Sequence, residues 1–576
     1  MLDSVRETLC IILLILLIGI ISLTVLFHYL EDASGILFSA ILFISFFFGF
    51  VGIAIFPFDI GVATDGSAAS KGLVGLWNVI YWITFLLSWV ILPLMMDYWA
   101  SGEFSKKSRF RESVVNYIRH YAILGGILIC VLLYILIAKN VSFASLQGII
   151  IALMNTYGLC YVVFYLGFGL VALPFYLYKS IHPKQEINDL YKQGQELDTD
   201  KFDYEMQVVS VKCNVRELQR MMDHTGKSKD LMAIIQSMID CMPGDEELDL
   251  KRHMRGHVDK SDWIVLDEES VKKMSDKALM SVLSKLNNKL KRTCLVYQRK
   301  MNQYDELLET IAELRHATGT SEIPLETNYS SKDRYYYFFR RLWMAIRSPF
   351  FTCCFFLSLI LSCLTLLTEF TTILYQLTNK SLSPFGWSFH FAFSTSFRVF
   401  IAFCFLFYVS ACFFFSFFNL RVPFIDFYSL YPHHTDVYAL SGNATYLTRF
   451  QFSLFYHFFT LLQLPQSAYA SVALSKVLGE MSTIPFLGTQ FNSYMPVLVI
   501  LTSVVVVVRE AKVMQAKRKG DIEMLGPDSE KMKIREGKEI VEMSLRKRGI
   551  ETGSREQHST KRRYHYCEVR VPFSVC

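Results

Sequence analysis

Runs of about twenty apolar residues, each long enough to cross a bilayer as a helix, recur along this 576-residue chain and decide most of what it can fold into. Five stand in the first third: Leu9 to Tyr29, Ile36 to Phe56, Leu73 to Met96, Tyr121 to Ala138 and Leu146 to Leu173. Four more follow a long polar stretch: Pro349 to Tyr375, Val399 to Phe418, Ala439 to Leu462 and Tyr494 to Val508. The eighth is the least regular, because Asn443, Thr445, Arg449 and His457 interrupt it. The first has only Arg6 against Asp3 and Glu7 ahead of it and no small-residue cleavage site behind it, so it reads as a retained span. The expected fold is an all-α polytopic membrane protein with about nine transmembrane helices.

Hydrophobic residues make up 52% of the chain and charged ones 19%, too few to cover a soluble surface of this size. The charge is concentrated in the polar stretch and the tail. Four regions result: a membrane block of five spans (1–179), a cytosolic insertion (180–347), a membrane block of four spans (348–508) and a charged, partly disordered cytosolic tail (509–576).

The insertion is itself patterned. Leu290, Cys294, Tyr297, Met301, Tyr304, Leu308 and Ile311 recur at alternating steps of four and three, and the register extends back through Asn287, Leu283 and Leu279. That spacing keeps one helix face turned toward a partner. Leu197, Tyr204, Val208, Val211, Val215, Leu218 and Met222 form a second seam, joined to the first by the polar stretch Gly244 to Asp262. The two read as a long antiparallel coiled-coil arm. A compact helical domain, or a coil that pairs two copies as a homodimer, would carry the same stripe.

Basic residues in short loops set orientation. Lys106, Lys107, Arg109, Arg111 and Arg119 follow the third span, whereas the loop after the first carries Glu31 and Asp32. The basic loop, the insertion and the tail share one side only with nine spans and the N-terminus extracellular or lumenal. Asn140 and Asn379, each opening an Asn-x-Ser tripeptide, then fall outside as candidate glycosylation sites. Tyr335 to Trp343, aromatic with two arginines, suits the inner headgroup zone of a plasma membrane or endomembrane.

Ionisable groups at membrane depth are costly and mark candidate sites. Arg449, near the middle of the eighth span with Asn443 close in sequence, and Glu369, toward the outer end of the sixth, form the candidate intramembrane polar site; a contact between them would offset part of the burial cost. His433 and His434 beside Asp436 suit a capping or interface role better than a metal, and His253 and His257 lack a third ligand. The thirteen cysteines include no CxxC pair. Signatures of hydrolases, nucleotide-binding loops, zinc proteases and kinases are absent, and so is any nucleic-acid-binding module. The expectation is a non-enzyme without cofactor, catalytic residue, metal or nucleic-acid partner.

Several short stretches resemble the limb region 1-like membrane protein family. They are Phe56-Pro57-Phe58-Asp59, Val79-Ile80-Tyr81-Trp82, Leu87 to Pro93, and Ser101-Gly102-Glu103-Phe104-Ser105. Thr368-Glu369, His434 to Leu440 and Glu536-Gly537-Lys538-Glu539 follow in order. The resemblance implies nine spans and an outer N-terminus. It also implies a role as a receptor for ligand uptake, a partner in lysosomal cobalamin export, or a regulator of G-protein-coupled receptor signalling. It brings no catalytic or ligand residue. The expected function is a receptor or signalling regulator, embedded in membrane lipids, that docks other membrane or signalling proteins through its arm. The alternative is a transporter or export partner for an organic solute or cofactor.

Overall fold

The computed structural model describes residues 2–30, 35–64, 71–139, 146–226, 228–240, 268–317, 331–378, 381–390, 392, 394–419, 430, 435–464, 466–478, 489–519 and 527–552. Among them the structure is nearly all helical, with a single isolated bridge between Leu30 and Thr435. In chain order the helices are α1 (Leu2–Tyr29), α2 (Ile36–Thr64), α3 (Lys71–Leu86), a π-helical turn (Leu87–Ile91), α4 (Leu92–Ala100), α5 (Lys106–Lys139) and α6 (Leu146–Ile181). Then come α7 (Pro183–His224), α8 (Lys229–Asp240), α9 (Glu268–Lys273), α10 (Asp276–Ala317) and α11 (Ser331–Thr378). Last are α12 (Pro384–His390), α13 (Thr395–Asn419), α14 (Val437–Leu462), α15 (Gln466–Ser471), α16 (Ala473–Leu478), α17 (Thr489–Lys519) and α18 (Pro527–Thr552).

The chain divides into two compact units. Unit one comprises Met1–Pro93, His120–His182 and Asn328–Ile522; unit two comprises Leu94–Arg119, Pro183–Thr327 and Glu523–Cys576.

Among the described residues seven helices are long and apolar enough to cross a membrane: Ile12–Tyr29, Ile36–Gly61, Lys71–Ala100, Tyr157–Ile181, Ile346–Tyr375, Thr395–Phe417 and Tyr494–Lys512. The expected fourth and eighth spans fall on α5 and α14, which are not among the seven. The second runs past Phe56, because Pro57 sits inside a helix that continues to Thr64; neighbouring helices make such a proline tolerable.

In unit one α14 is enclosed by α2, α3, α6, α11, α12 and α13 and is buried on nearly every side. Lipid is as apolar as leucine, so packing and hydrogen bonds, not burial from water, hold such a bundle. Aromatic rings supply much of that packing. The Phe56 ring stacks on Phe455 with centroids 4.8 Å apart and meets the edge of Trp77 at 6.3 Å. Phe450 stacks on Tyr161 at 4.8 Å. Each such pair contributes about 0.5–1.5 kcal/mol beyond its contact area.

Unit two is built on α7 and α10, each 42 residues long and so about 63 Å in length. They run antiparallel. Val211, Val215, Leu218 and Met222 of α7 share a core with Leu279, Leu283, Leu286 and Leu290 of α10. Val208 and Val209 pack on Tyr297, with Tyr204 and Met301 beside them. Ile187 and Tyr191 meet Tyr304, Leu307, Leu308, Ile311 and Leu314. The seam residues Leu283, Leu290, Tyr297, Tyr304, Leu308 and Ile311 are buried, and Met301 is partly so. A buried leucine or isoleucine contributes about 1.5–3 kcal/mol here, because this unit's surface is polar enough to face water. The pair does not stand alone: Leu231, Ile234, Ile235 and Met238 of α8 and Val271 of α9 complete the first of those cores.

The tail departs from expectation. The sequence reading finds no packed pattern after Arg509, yet α18 lays Val541, Ile534 and Leu545 against α7 and α10. Gly537 of the Glu536–Glu539 motif lets the backbones meet, since a Cβ there would overlap the Tyr191 carbonyl oxygen. Around it Gln195 Nε2 donates to Glu536 Oε2 at 2.6 Å, and Arg315 donates to Glu542 Oε1 at 2.6 Å and to the Tyr191 hydroxyl at 2.7 Å.

Candidate functional site

The polar residues of α14 sort into those sealed within the helix and those that reach across. Asp436 caps its start, accepting from the Ala439 N–H at 3.1 Å. The hydroxyls of Ser441, Thr445, Thr448 and Thr460 donate to carbonyls one turn back, which satisfies them locally. Gln463 closes the far end in a left-handed conformation (φ 48°), and its amide bridges the Leu382 N–H and the hydroxyls of Thr371 and Thr372. Among the others are one cation, Arg449, one histidine, His457, and one glutamine, Gln451.

Arg449 serves a backbone carbonyl. In the π-helical turn the Leu92 N–H bonds Leu87 O, so it is not available to Ser88. The next donor would come from residue 93, but Pro93 has no N–H. Ser88 O is left without a helical partner, and Arg449 Nη2 donates to it at 2.7 Å. The guanidinium lies over the Trp89 ring, 4.1 Å from its centroid, an arrangement worth about 2 kcal/mol when desolvated.

Glu369 and His457 form the second site. Oε1 of Glu369 lies 2.8 Å from Nε2 of His457, and the two side chains are 0% and 1% exposed. Among the described residues Glu369 Oε2 and His457 Nδ1 have no partner, so each group is only half satisfied. The Gln451 side chain is fully buried, with neither amide atom bonded.

The expected polar site is therefore two sites. Glu369 meets His457, and Arg449 meets Ser88 and Trp89. His457 lies eight residues beyond Arg449, about 12 Å along the helix axis. Asn443 is buried on α14, but six residues from Arg449 it points about 120° away. Asn140, Asn379, His253, His257, His433 and His434 lie outside the described residues. The sequence reading misses Asp59, whose carboxylate caps α16 by accepting from the N–H groups of Ala473 (2.8 Å) and Leu474 (2.9 Å). The motif holding Asp59 was visible; its partner, 414 residues away, was not.

In unit two the stretch Ser101–Ser105 is clasped by α10. Asn287 Nδ2 donates to Gly102 O at 2.7 Å, Ser284 Oγ to Glu103 Oε1 at 3.0 Å, and Lys291 Nζ to Ser101 O at 2.9 Å. A Cβ at Gly102 would overlap the Ser284 carbonyl oxygen, and Phe104 is inserted in the apolar core. The polar Asn287 in the seam thus has a backbone to bind. Burial pushes the Cys294 thiol up to about 12 against the opposing charge of Lys212, which leaves it an unreactive core group.

A family model described as LMBR1-like membrane protein matches residues 7–509, the family that the motifs resemble. Among curated proteins the chain is 25% identical over 437 residues to LMBR1 domain-containing protein 2 homolog A of Dictyostelium discoideum, covering 74% of this chain and 56% of that one. It is 24% identical over 504 residues to the human G-protein coupled receptor-associated protein LMBRD2, covering 85% and 71%. The protein of that name from Caenorhabditis briggsae is 23% identical over 447 residues, with 74% and 66% covered. The chain thus spans between about half and three quarters of the length of these relatives. No solved structure matches.

Proposed function

Because the chain belongs to the LMBR1-like membrane protein family, we propose that it is a receptor-associated regulator of signalling or trafficking that docks partner proteins through its helical insertion. The observation that carries this reading is the name given to the human and nematode relatives, which are called G-protein coupled receptor-associated. A second support is the build of unit two, where α7 and α10 are each about 63 Å long and polar on their outer faces. The reading gives the chain no catalytic role.

The proposed topology has nine crossings, an outer N-terminus and a cytosolic insertion and C-terminal tail. The direction of α14 supports it. Its start touches the end of α1, where the Thr435 N–H bonds Tyr29 O at 3.1 Å. Its end meets the chain leaving α11, where Ser383 Oγ donates to Leu461 O at 2.6 Å. Just beyond it, α16 is capped by Asp59 near the end of α2. In this topology α14 is a crossing from the face where α1 finishes to the face where α2 and α11 finish. The same alternation requires α5, which holds the uncharged stretch Tyr121 to Ala138, to cross between α4 and α6. Protease added outside intact cells should then leave the insertion uncut; cleavage within 180–347 would reverse the orientation.

Removing Leu197 to Ile311 should abolish recovery of neighbouring signalling proteins by proximity labelling and leave membrane insertion intact. An unchanged set of neighbours would defeat the docking role. The buried Glu369–His457 pair favours a second reading, a transporter or export partner for an organic solute or cofactor. Loss of flux in vesicles bearing a folded Glu369→Gln protein would select it.

A further inference from the structure

The tail helix α18 has a seat on α7 and α10 that is shaped for it and thinly held. Gly537 admits the Tyr191 carbonyl, and in the other direction Gly194 of α7 admits Val541, whose Cγ2 a Cβ there would meet at 2.8 Å. Ile534, Val541 and Leu545 are the apolar side chains that α18 brings to the shared core. So few apolar groups hold a 26-residue helix that it belongs to the part of the unit most easily opened.

Ser544 sits inside that strip, three residues after Val541 and one before Leu545. Its hydroxyl oxygen lies 2.8 Å from that of Tyr304, a side chain only 3% exposed. Ser544 itself is half-buried: its oxygen meets the arm while the helix is docked and solvent once it lifts. The sequence supplies an independent pointer. Arg546, Lys547 and Arg548 follow two, three and four residues beyond Ser544, whereas Ser529, the other serine of α18, stands between Asp528 and Glu530. Protein kinases choose an acceptor hydroxyl by the charge pattern around it, and successive cations just beyond a serine suit a basophilic kinase. Arg546 and Lys547 are exposed.

We propose that Ser544 is a phosphorylation site for a basophilic serine kinase, and that the phosphate releases α18 from α7 and α10. The Ser544 oxygen attacks the γ-phosphorus of ATP. The new P–O bond forms as the bond to the β-bridging oxygen breaks, ADP leaves, and the hydroxyl proton passes to the kinase's own base. The product carries a charge of about −1.5 to −2 in a strip lined by Val541, Leu545 and the Tyr304 ring. Keeping it docked would strip water from that charge, and a phosphate in an apolar contact disrupts it. Lys201, with Nζ 5.2 Å from the centroid of the Tyr304 ring, opposes release, but with one charge against nearly two. The site rests on the function proposed above only in placing arm and tail on the cytosolic side, where ATP is.

The test uses full-length protein in detergent, where both faces are open, with ATP and the catalytic domain of protein kinase C as the probe. Mass spectrometry maps the phosphate, and hydrogen exchange of the amides of residues 534–545 reads docking, because a helix of this composition frays once it leaves its seat. Phosphate is expected at Ser544 and not at Ser529. Exchange over 534–545 should then rise about a hundredfold, as it should in unphosphorylated V541D, the reference for a lifted helix. S544A loses a hydrogen bond and gains no charge, so its exchange should rise no more than about fivefold. Unchanged exchange over 204–222 verifies that the arm stays folded in every variant. Absence of phosphate at Ser544 in V541D, where the helix is already free of its seat, would overturn the site. Phosphate at Ser544 with exchange unchanged, Lys201 holding it in place, would overturn the release. An orientation opposite to that proposed would show in the protease experiment above and leave these detergent results intact.

Discussion

Replacing Glu369 with alanine is expected to destabilise the membrane unit by about 3–5 kcal/mol, the cost of removing one member of a buried pair. An ordinary hydrogen bond between helices in a bilayer is worth only about 0.6 kcal/mol, so the size of the loss decides what kind of contact this is. Two features argue for the larger figure. Both side chains are essentially inaccessible, and the His457 ring has no second partner among the described residues. With Glu369 gone, both ring nitrogens would be stranded. Substituting both members, Glu369→Met with His457→Leu, should return stability to near the parent value, because an apolar pair of similar volume leaves nothing unsatisfied. Unfolding of purified protein in detergent, followed by its tryptophan signal, measures all three variants. A single variant that loses no more than about 0.6 kcal/mol would show that the pair is a plain hydrogen bond.

The seam of the insertion was legible because a helix in water must turn one stripe inward, and a period of three and four residues records it. Leu283, Leu290 and Ile311 are buried where that period puts them. The apolar runs were legible for the complementary reason, since lipid selects composition on every face. The helix α14 meets little of either solvent. Enclosed by protein, it is free to carry Ser441, Asn443, Arg449, Gln451 and His457, and a hydropathy reading sees only an interrupted span. Its partners were hidden for a further reason. Glu369 and His457 are 88 residues apart, and nothing local to either announces the other. The packed face of α18 shows a different limit. Ile534, Val541 and Leu545 are spaced seven and four apart, but three apolar residues among so many charges carry little signal.

Arg449 is the case where sequence alone reads the residue and misreads its purpose. The partner it lacks in sequence is an orphan carbonyl, and the trace of that carbonyl is Pro93. Arg449→Leu is expected to cost about 3–5 kcal/mol. Of this, about 1–3 kcal/mol comes from leaving Ser88 O unpaired and about 2 from the lost guanidinium–indole contact. Arg449→Lys should recover only part, since an ammonium cannot lie flat on the Trp89 ring and also present a fork to the carbonyl. Pro93→Ala provides the decisive comparison. An N–H at residue 93 lets the turn close with a donor for Ser88, so Arg449→Leu should cost about 1–3 kcal/mol less in that background. The coupling read from the four melting curves isolates the carbonyl from the ring. If Arg449→Leu costs as much with alanine at 93 as with proline, the arginine is held by its aromatic neighbours Trp89 and Tyr157 and not by the carbonyl, and the π-helical turn is not what requires a cation inside the bundle.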